Sequence, residues 1–375
     1  MILYIVVAAL SVALASRVTT VPQSNTYVLT RRVLINRIVL GGLFVLLFLV
    51  SALRINTGND YPTYIERFHD IHYGVYVVTE KGFNQVIKFI YWFFNSECYL
   101  YAFALFGGLT IAVFLIGMYK QSDSFVLTFF LFMAFGMYYQ TFNTVRYYFA
   151  LAIVLYAHKF ITDKKYISFI ITILIASLFH KSTLVCIPVY ILATIPWKRW
   201  QAILLAVISP LGLLFRNNLM DLFVRLYPSY QFEEEYLAGG QLSIINVLRS
   251  LGILALCLIF WKDAIKDNKK NRFYFYLNYA ALIVYAFFYF IPFVSRIGYY
   301  LNISNILLIP AVIKSIKDDR KRRLITAVVV IAGVLYFILF LRKAYDVEVK
   351  ILPYSSWLYE DFDFLPLVPV PYKNQ

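Results

Sequence analysis

Apolar residues form long runs along the whole chain, and short polar segments separate these runs. A helix of about 20 apolar residues crosses the ~30 Å hydrocarbon core of a bilayer, so the runs predict membrane-spanning helices. Several runs are shorter or contain Gly and Pro, which favours tilted helices that pack inside a bundle. The pattern predicts about twelve helices, at residues 1–16, 38–53, 98–118, 124–139, 147–160, 166–179, 183–195, 200–215, 243–261, 273–291, 297–313 and 324–341.

The composition agrees with this pattern, because the chain is 61% hydrophobic and 15% charged, with a mean hydropathy of +0.71. Soluble domains carry roughly 25% charged residues. We therefore expect an all-α, polytopic transmembrane helical bundle that forms a single integral membrane domain over residues 1–375. The first run lacks a basic n-region and a small-residue cleavage pattern, so we expect a retained helix and not a signal peptide.

Charge predicts the orientation of this bundle. The formal net charge is +15. Loops at one end hold 21 Lys and Arg against 6 Asp and Glu, whereas the other end holds 13 against 14. The positive-inside rule places the basic loops in the cytoplasm and both termini outside. Because the cations lie in short turns, they indicate anchoring at an anionic leaflet and not nucleic-acid binding. The basic loops are residues 17–37, 119–123, 159–165, 196–199, 262–272 and 314–323.

Three longer segments are predicted on the outer side, at residues 54–97, 216–242 and 342–375. The first contains an amphipathic stretch, residues 83–94, that we expect to lie at the membrane interface. It also contains Glu66, His69, Asp70 and His72, whose spacing matches no standard zinc signature. Three scattered cysteines indicate neither a disulfide framework nor a metal motif. We predict no metal and no other cofactor.

Five arginines lie near the predicted outer boundary. Ionisable groups at membrane depth cost free energy and are functional candidates, and the arginine fork binds phosphate bidentately. Arginines that converge on one face would bind the head of a phosphorylated or diphosphorylated lipid, although a single boundary arginine can also be a snorkelling anchor. Arg249 lies roughly 9 Å inside its predicted helix and is expected to face a cavity. The five are Arg54, Arg146, Arg216, Arg249 and Arg296.

Two residues are candidates for a general base. His180 ends the predicted sixth helix, and imidazole titrates near neutral pH, although a structural histidine is an equal alternative. Asp60 is the second candidate, and it could instead cap the helix that follows. Tyrosines near these residues could stack on sugar rings, although an interfacial aromatic belt explains most of them. Candidate sugar-binding residues are Tyr61, Glu80, Asn143, Tyr147, Glu235 and Tyr300.

An ordered set of motifs spans roughly residues 54 to 310. In chain order the motifs are Gly58-Asn59-Asp60-Tyr61, Glu80-Lys81-Gly82-Phe83, Asn143-Thr144-Val145-Arg146, Phe179-His180-Lys181-Ser182 and Arg296-Ile297-Gly298-Tyr299-Tyr300. In this order the set resembles the Wzy/EpsG-type polysaccharide polymerases. The family commonly has Gln after the arginine of the third motif, whereas Tyr147 follows Arg146 here. The family's arginine is therefore present at Arg146, whereas a tyrosine stands in place of the glutamine whose amide would support it.

The resemblance implies a GT-C-type glycosyltransferase in the bacterial inner (cytoplasmic) membrane. Such an enzyme transfers a growing glycan from undecaprenyl diphosphate to a hydroxyl of the next lipid-linked repeat unit at the outer face. Donor and acceptor are both lipid-linked oligosaccharides, and a flippase and a chain-length regulator are implied as partners. Charge stabilisation of a diphosphate leaving group requires no metal.

On this hypothesis Arg146, Arg249 and Arg296 bind the diphosphate, with Arg54 and Arg216 as weaker candidates. His180 is the first choice as base and Asp60 the second. An O-antigen ligase is the nearest alternative. A lipid-linked oligosaccharide flippase would need a charged path through the bilayer midplane and often repeat symmetry, which the sequence does not display. An acyltransferase that modifies surface polysaccharide also fits poorly, because its histidine would lie nearer the cytoplasmic side.

Overall fold

The computed structural model describes residues 1–19, 30–226, 240–291, 294–346 and 349–358. Helices make up nearly all of its regular structure, which confirms the predicted all-α class. In chain order they are α1 (Ile2–Ala15), α2 (Arg31–Ala52), α3 (Tyr61–His72), α4 (Lys81–Phe94), α5 (Tyr99–Gln121), α6 (Phe125–Ala134), α7 (Met137–Gln140), α8 (Val145–Thr162), α9 (Tyr166–Ser177), α10 (Cys186–Thr194), α11 (Arg199–Ile208), α12 (Leu211–Leu214), α13 (Arg216–Leu226), α14 (Ile244–Ile259), α15 (Lys269–Phe287), α16 (Val294–Asn302), α17 (Asn305–Ser315) and α18 (Asp319–Lys343).

Four helical stretches are long and apolar enough to cross a membrane: Arg31–Ala52, Tyr99–Gln121, Val294–Ser315 and Asp319–Lys343. A bent pair, Arg199–Leu214 with Arg216–Leu222, adds a fifth if it counts as one span. Other predicted runs form apolar helices of 10–17 residues. The protein is thus a helical membrane protein, but the described residues do not support a count of twelve spanning helices. Local hydropathy locates apolar runs, whereas tertiary packing decides how far each run continues as a helix.

The bundle has two chemically different ends. At one end the Lys270 ammonium donates to the backbone oxygen of Gln121 at 2.8 Å, and the Lys314 ammonium donates to that of Asp123 at 3.3 Å. We call this the basic end. At the opposite end the Asp60 amide donates to the Asn143 side chain at 2.9 Å. We call this the site end.

A compact aromatic core supports the site end. Tyr64 and Phe68 are buried, and their rings contact each other and the buried rings of Phe83 and Phe103, with centroids 5.3–6.2 Å apart. These rings come from α3, α4 and α5, so burying them fixes the three helices relative to one another.

Helix α4 covers the whole stretch, residues 83–94, for which the sequence predicts an interfacial helix. Phe83, Ile87 and Ile90 are buried on one face. On the other face Trp92 is 75% and Phe93 64% exposed. An exposed apolar face of this kind is typical of a helix in contact with lipid.

The chain after α18 returns to the site end. Strand β1 (Arg54–Ile55) pairs antiparallel with β2 (Ser355–Ser356). The Gly58 amide also donates to the Lys350 oxygen at 2.7 Å. The described part of the predicted outer tail therefore packs against the first outer segment.

Candidate functional site

A cavity of about 910 Å³ opens at the site end, and we call it the charged cavity. One acidic and four basic side chains line it together with a histidine: Glu80, Lys81, Arg146, Lys181, Arg296 and His180. Other lining residues come from two segments, residues 74–84 and 177–184. The structure thus brings together two of the five predicted arginines, the first-choice base and one predicted sugar-binding residue.

Glu80 connects three segments of this cavity. One carboxylate oxygen forms an ion pair with Arg146 Nη1, and the other accepts a hydrogen bond from the Lys181 amide at 3.1 Å. The paired side chains are only 12% and 14% exposed. A poorly hydrated ion pair with good geometry strongly orients its members. Glu80 therefore fixes Arg146 and the start of the segment after His180.

Arg146 is further held by aromatic groups. Its guanidinium lies over the Phe83 ring, 5.4 Å from the centroid. Its backbone amide donates to the Tyr64 hydroxyl at 3.3 Å. Its Nε is buried without a hydrogen-bond partner among the described residues. The guanidinium is thus oriented while part of its donor capacity is unused.

His180 belongs to a chain of hydrogen bonds. Its Nδ1 lies 2.6 Å from Ser182 Oγ, which in turn lies 2.9 Å from the Tyr300 hydroxyl. The Tyr147 ring packs edge-on against the imidazole, with centroids 5.2 Å apart. Burial lowers the pKa of His180 to about 3, and the positive charges of Arg296 and Arg146 act in the same direction. The imidazole is therefore neutral at physiological pH.

Tyr147 and Tyr300 hold the site together from behind. The Tyr147 hydroxyl donates to the backbone oxygen of Arg296 at 2.7 Å, which ties α8 to the start of α16. The Tyr147 and Tyr300 rings are also in contact, with centroids 5.2 Å apart. Neither tyrosine lines the charged cavity. Their position indicates that they orient Arg296 and His180.

Asp60 lies at the N-cap position of α3, but its carboxylate accepts no capping hydrogen bond. Capping therefore does not explain this residue. Burial raises the pKa of Asp60 above its ordinary value of 3.8, and the charges of Arg296, Arg67 and Arg146 oppose that rise. This coupling places the carboxylate near both arginines of the charged cavity.

A smaller polar cavity of about 250 Å³ lies beside the segment that leads into α8. Asn143 and Thr144 line it from that segment, and Asn246, Tyr299 and Lys343 line it from other helices. We call it the polar cavity. Asn143 also accepts the hydrogen bond from the Asp60 amide, so this cavity and Asp60 share a neighbour.

Arg249 lines neither cavity. Its guanidinium stacks between the Phe135 and Tyr336 rings, 5.3 Å from each centroid, and Nη1 donates to the Tyr336 hydroxyl at 2.9 Å. Its Nε and Nη2 are buried and have no partner in the described part of the chain. The prediction that Arg249 faces a cavity is therefore not supported by the lining residues.

The structure places the remaining candidates elsewhere. Arg54 is 1% exposed and lies between the Phe103 and Phe142 rings, where it bonds to Ser51 at the end of α2. Burial lowers its pKa. Arg216 is exposed at the start of α13 and lines neither cavity.

Two further sugar-binding candidates, Tyr61 and Glu235, are not among the described residues that line the charged cavity. Tyr61 stacks on Phe103, with centroids 4.3 Å apart, and is buried in the core. Glu235 lies outside the described residues.

Some residues of the charged cavity were not singled out from the sequence. Lys181 and Ser182 directly follow His180, so their position in the motif was an available signal. Residues 74–79 carry no recognisable pattern and reach the cavity only through the turn between α3 and α4.

The His69 imidazole Nδ1 lies 2.6 Å from the Glu97 carboxylate, and the described residues contain no group of three potential metal ligands.

Fold and site together define an all-helical membrane protein with a charged cavity at one end of its bundle. The EpsG family matches residues 37–356, so the chain belongs to this family of Wzy/EpsG-type polysaccharide polymerases. The predicted resemblance is confirmed. No curated protein and no solved structure matches the chain.

Proposed function

We propose that this protein polymerises a bacterial polysaccharide from undecaprenyl-diphosphate-linked repeat units. It transfers the growing glycan from its lipid diphosphate to a hydroxyl of the next unit at the outer face of the cytoplasmic membrane. The single observation that carries the proposal is that Arg146 and Arg296 line one cavity together with Glu80 and His180. These groups suit a reaction in which negative charge develops on a leaving diphosphate.

The donor diphosphate would occupy the charged cavity. A space of about 910 Å³ accommodates a diphosphate and adjoining sugar residues. Arg146, Arg296 and Lys181 would supply the positive charge that the leaving group needs. Glu80 holds Arg146 in place before substrate arrives, so less reorganisation is required during the reaction. Such stabilisation requires no metal, in keeping with a GT-C-type transferase.

We propose a smaller diphosphate site than the sequence predicted. Arg249 does not line the charged cavity, and Arg54 bonds to Ser51 at the end of α2. We therefore assign diphosphate binding to Arg146 and Arg296, with Lys181 as a third cation.

We assign the role of the base that accepts the acceptor proton to Asp60 in preference to His180. Burial raises the pKa of Asp60 and lowers that of His180 to about 3. The pKa of Asp60 therefore lies above that of His180, and the group with the higher pKa binds a proton more strongly. Asn143, which contacts the Asp60 amide, also lines the polar cavity. An acceptor sugar in the polar cavity would therefore lie beside this segment.

In the proposed transfer, the acceptor oxygen replaces the diphosphate on the anomeric carbon. The acceptor oxygen bonds to the anomeric carbon, and its proton passes to the Asp60 carboxylate. The bond between that carbon and the diphosphate oxygen breaks, and the electron pair stays on the diphosphate. Attack from the opposite face inverts the anomeric carbon. If Ser182 donates a hydrogen bond to Nδ1, the neutral His180 carries its proton on Nε2. The Nε2–H group then donates a hydrogen bond to the departing phosphate.

The test is an assay of purified protein with a defined lipid-linked repeat unit, scored for a ladder of products. We expect Arg146→Gln and Arg296→Gln each to slow polymer formation by about 100-fold or more. Arg342→Gln is the matched control, because Arg342 is exposed near the site end and lines neither cavity. Cavity variants that polymerise at the control rate would refute the proposed site. Single transfers without a ladder would indicate a ligase.

A further inference from the structure

A third cavity lies at the basic end of the bundle, and we call it the basic-end cavity. Its volume is about 830 Å³, and helices α1, α6, α17 and α18 form its walls. Most of the wall is apolar and includes Val12, Phe130, Ala327 and Val330. It shares no lining residue with the charged cavity or the polar cavity.

The packing of α18 explains why this space is open. At Gly333 the helix touches α6 so closely that a Cβ atom would lie 2.7 Å from the Phe130 ring. Toward the basic end, residues from Val330 back to Arg322 line the cavity, a length of about 12 Å along the helix. Pro310 of α17 also lines it and interrupts helical hydrogen bonding there. Helices α6 and α18 touch at Gly333 and therefore leave an apolar slot on the basic-end side of this contact.

Three cations line the same slot: Lys314, Arg322 and Arg323. Two of them have acidic neighbours, since Arg322 lies 2.5 Å from Asp319 and Lys314 lies 3.9 Å from Asp123. The Arg323 side chain forms no hydrogen bond or ion pair with the described residues. No Asp or Glu of the described chain lines the cavity itself. The slot therefore has a net positive entrance and an apolar interior.

We propose that the basic-end cavity binds an anionic phospholipid of the surrounding bilayer. Its phosphate would contact Arg322 and Arg323, and one acyl chain would lie along Val12, Phe130 and Val330. The apolar wall excludes a purely polar anion as the natural occupant, and the cations favour an anionic head group over a zwitterionic one. Basic pockets between transmembrane helices bind anionic head groups by the same chemistry. This proposal does not depend on the polymerase reaction.

The experiment titrates the purified full chain with phosphatidylglycerol or phosphatidylcholine and counts bound lipids by native mass spectrometry. The test variant is Arg322→Gln with Arg323→Gln. The control is Arg320→Gln with Lys321→Gln, which removes equal charge from the same turn of α18 but from residues that do not line the cavity. We expect affinity for phosphatidylglycerol to fall about tenfold in the test pair and less than about twofold in the control pair.

A second variant, Ala327→Phe, fills the apolar wall and keeps every charge. It should displace both lipids, and its melting curve shows whether the bundle still folds. Equal losses in the two charge pairs would mean diffuse attraction and would overturn the proposal. Equal binding of both lipids by the unaltered protein would also overturn it. Displacement of phosphatidylglycerol by an equimolar polyprenyl phosphate would assign the cavity to the carrier lipid instead.

Discussion

At the scale of single residues, burial reverses the pKa order of the two candidate bases, His180 and Asp60. A free imidazole is a stronger base than a free carboxylate. In the folded protein burial lowers the pKa of His180 to about 3, whereas burial raises the pKa of Asp60. The sequence indicated both residues as candidates, but the order between them depends on desolvation and on the two neighbouring arginines. That order is a property of the fold.

This order predicts the pH dependence of polymer formation. As pH falls through the raised pKa of Asp60, its carboxylate gains a proton and can no longer act as base. We expect an acid limb with a midpoint above 3.8, and no loss of activity that follows His180, which stays neutral until about pH 3. The measurement is kcat/KM against pH for the unaltered protein, Asp60→Asn and His180→Asn. The Asp60 variant should lose about 100-fold or more in rate.

The His180 variant distinguishes the two assignments. It should keep the same acid limb at a lower plateau, because its role is to bind the leaving phosphate. An acid limb that disappears in His180→Asn would make histidine the base and contradict the proposal.

The thermal stability of the Asp60 variant is an independent measurement. A carboxylate with a raised folded pKa destabilises the protein as pH rises through that pKa, so Asp60→Asn should raise the Tm at neutral pH.

At the scale of secondary-structure elements, one turn decides how the candidate base meets the other residues. Gly58 has a φ of +104° and lies three residues before Tyr61, the first residue of α3. A Cβ at this position would lie 2.6 Å from the Phe142 oxygen and 2.9 Å from Asn143 Cα. The turn therefore packs backbone against backbone, and only glycine fits. This contact places Asp60 beside the segment that leads into Arg146.

We predict that Gly58→Ala destabilises the protein by about 2 kcal/mol or more and reduces polymer formation. The matched control for stability is Gly74→Ala, because Gly74 also has a positive φ of +75°, but a Cβ added there would meet nothing within 4 Å. It should cost only about 1 kcal/mol of backbone strain. Thermal melts of both variants in detergent measure the difference. Equal losses would show that the close contact with Phe142 and Asn143 is unimportant.

At the scale of the whole molecule, charge and chemistry are divided between the two ends of the bundle. The basic end collects short loops such as those of Lys270 and Lys314, whereas the site end collects the charged cavity and the polar cavity. The positive-inside rule then predicts that the site end faces the outside of the cytoplasmic membrane. A lipid-linked donor, and not a cytoplasmic nucleotide sugar, suits that side.

Cysteine labelling tests this orientation. The three native cysteines are buried, so we expect little background labelling from them. We expect Asn217→Cys at the site end to react with a membrane-impermeant maleimide in intact cells, and Lys317→Cys at the basic end to react only after permeabilisation. Both positions are exposed, so access decides the result. The reverse pattern would place the charged cavity in the cytoplasm and exclude the proposed substrate side.

Sequence alone determined the class of the protein, because apolar runs and loop charge are local properties that a bilayer selects directly. It also indicated Arg146, His180 and Asp60, since charged residues at the end of an apolar run have few structural uses. Tertiary structure decided which candidates meet. Glu80 and Arg146 are 66 residues apart in sequence and form one ion pair, whereas Arg54 and Arg249 lie among aromatic rings away from the charged cavity. Helix packing sets these distances, and hydropathy contains no information about them.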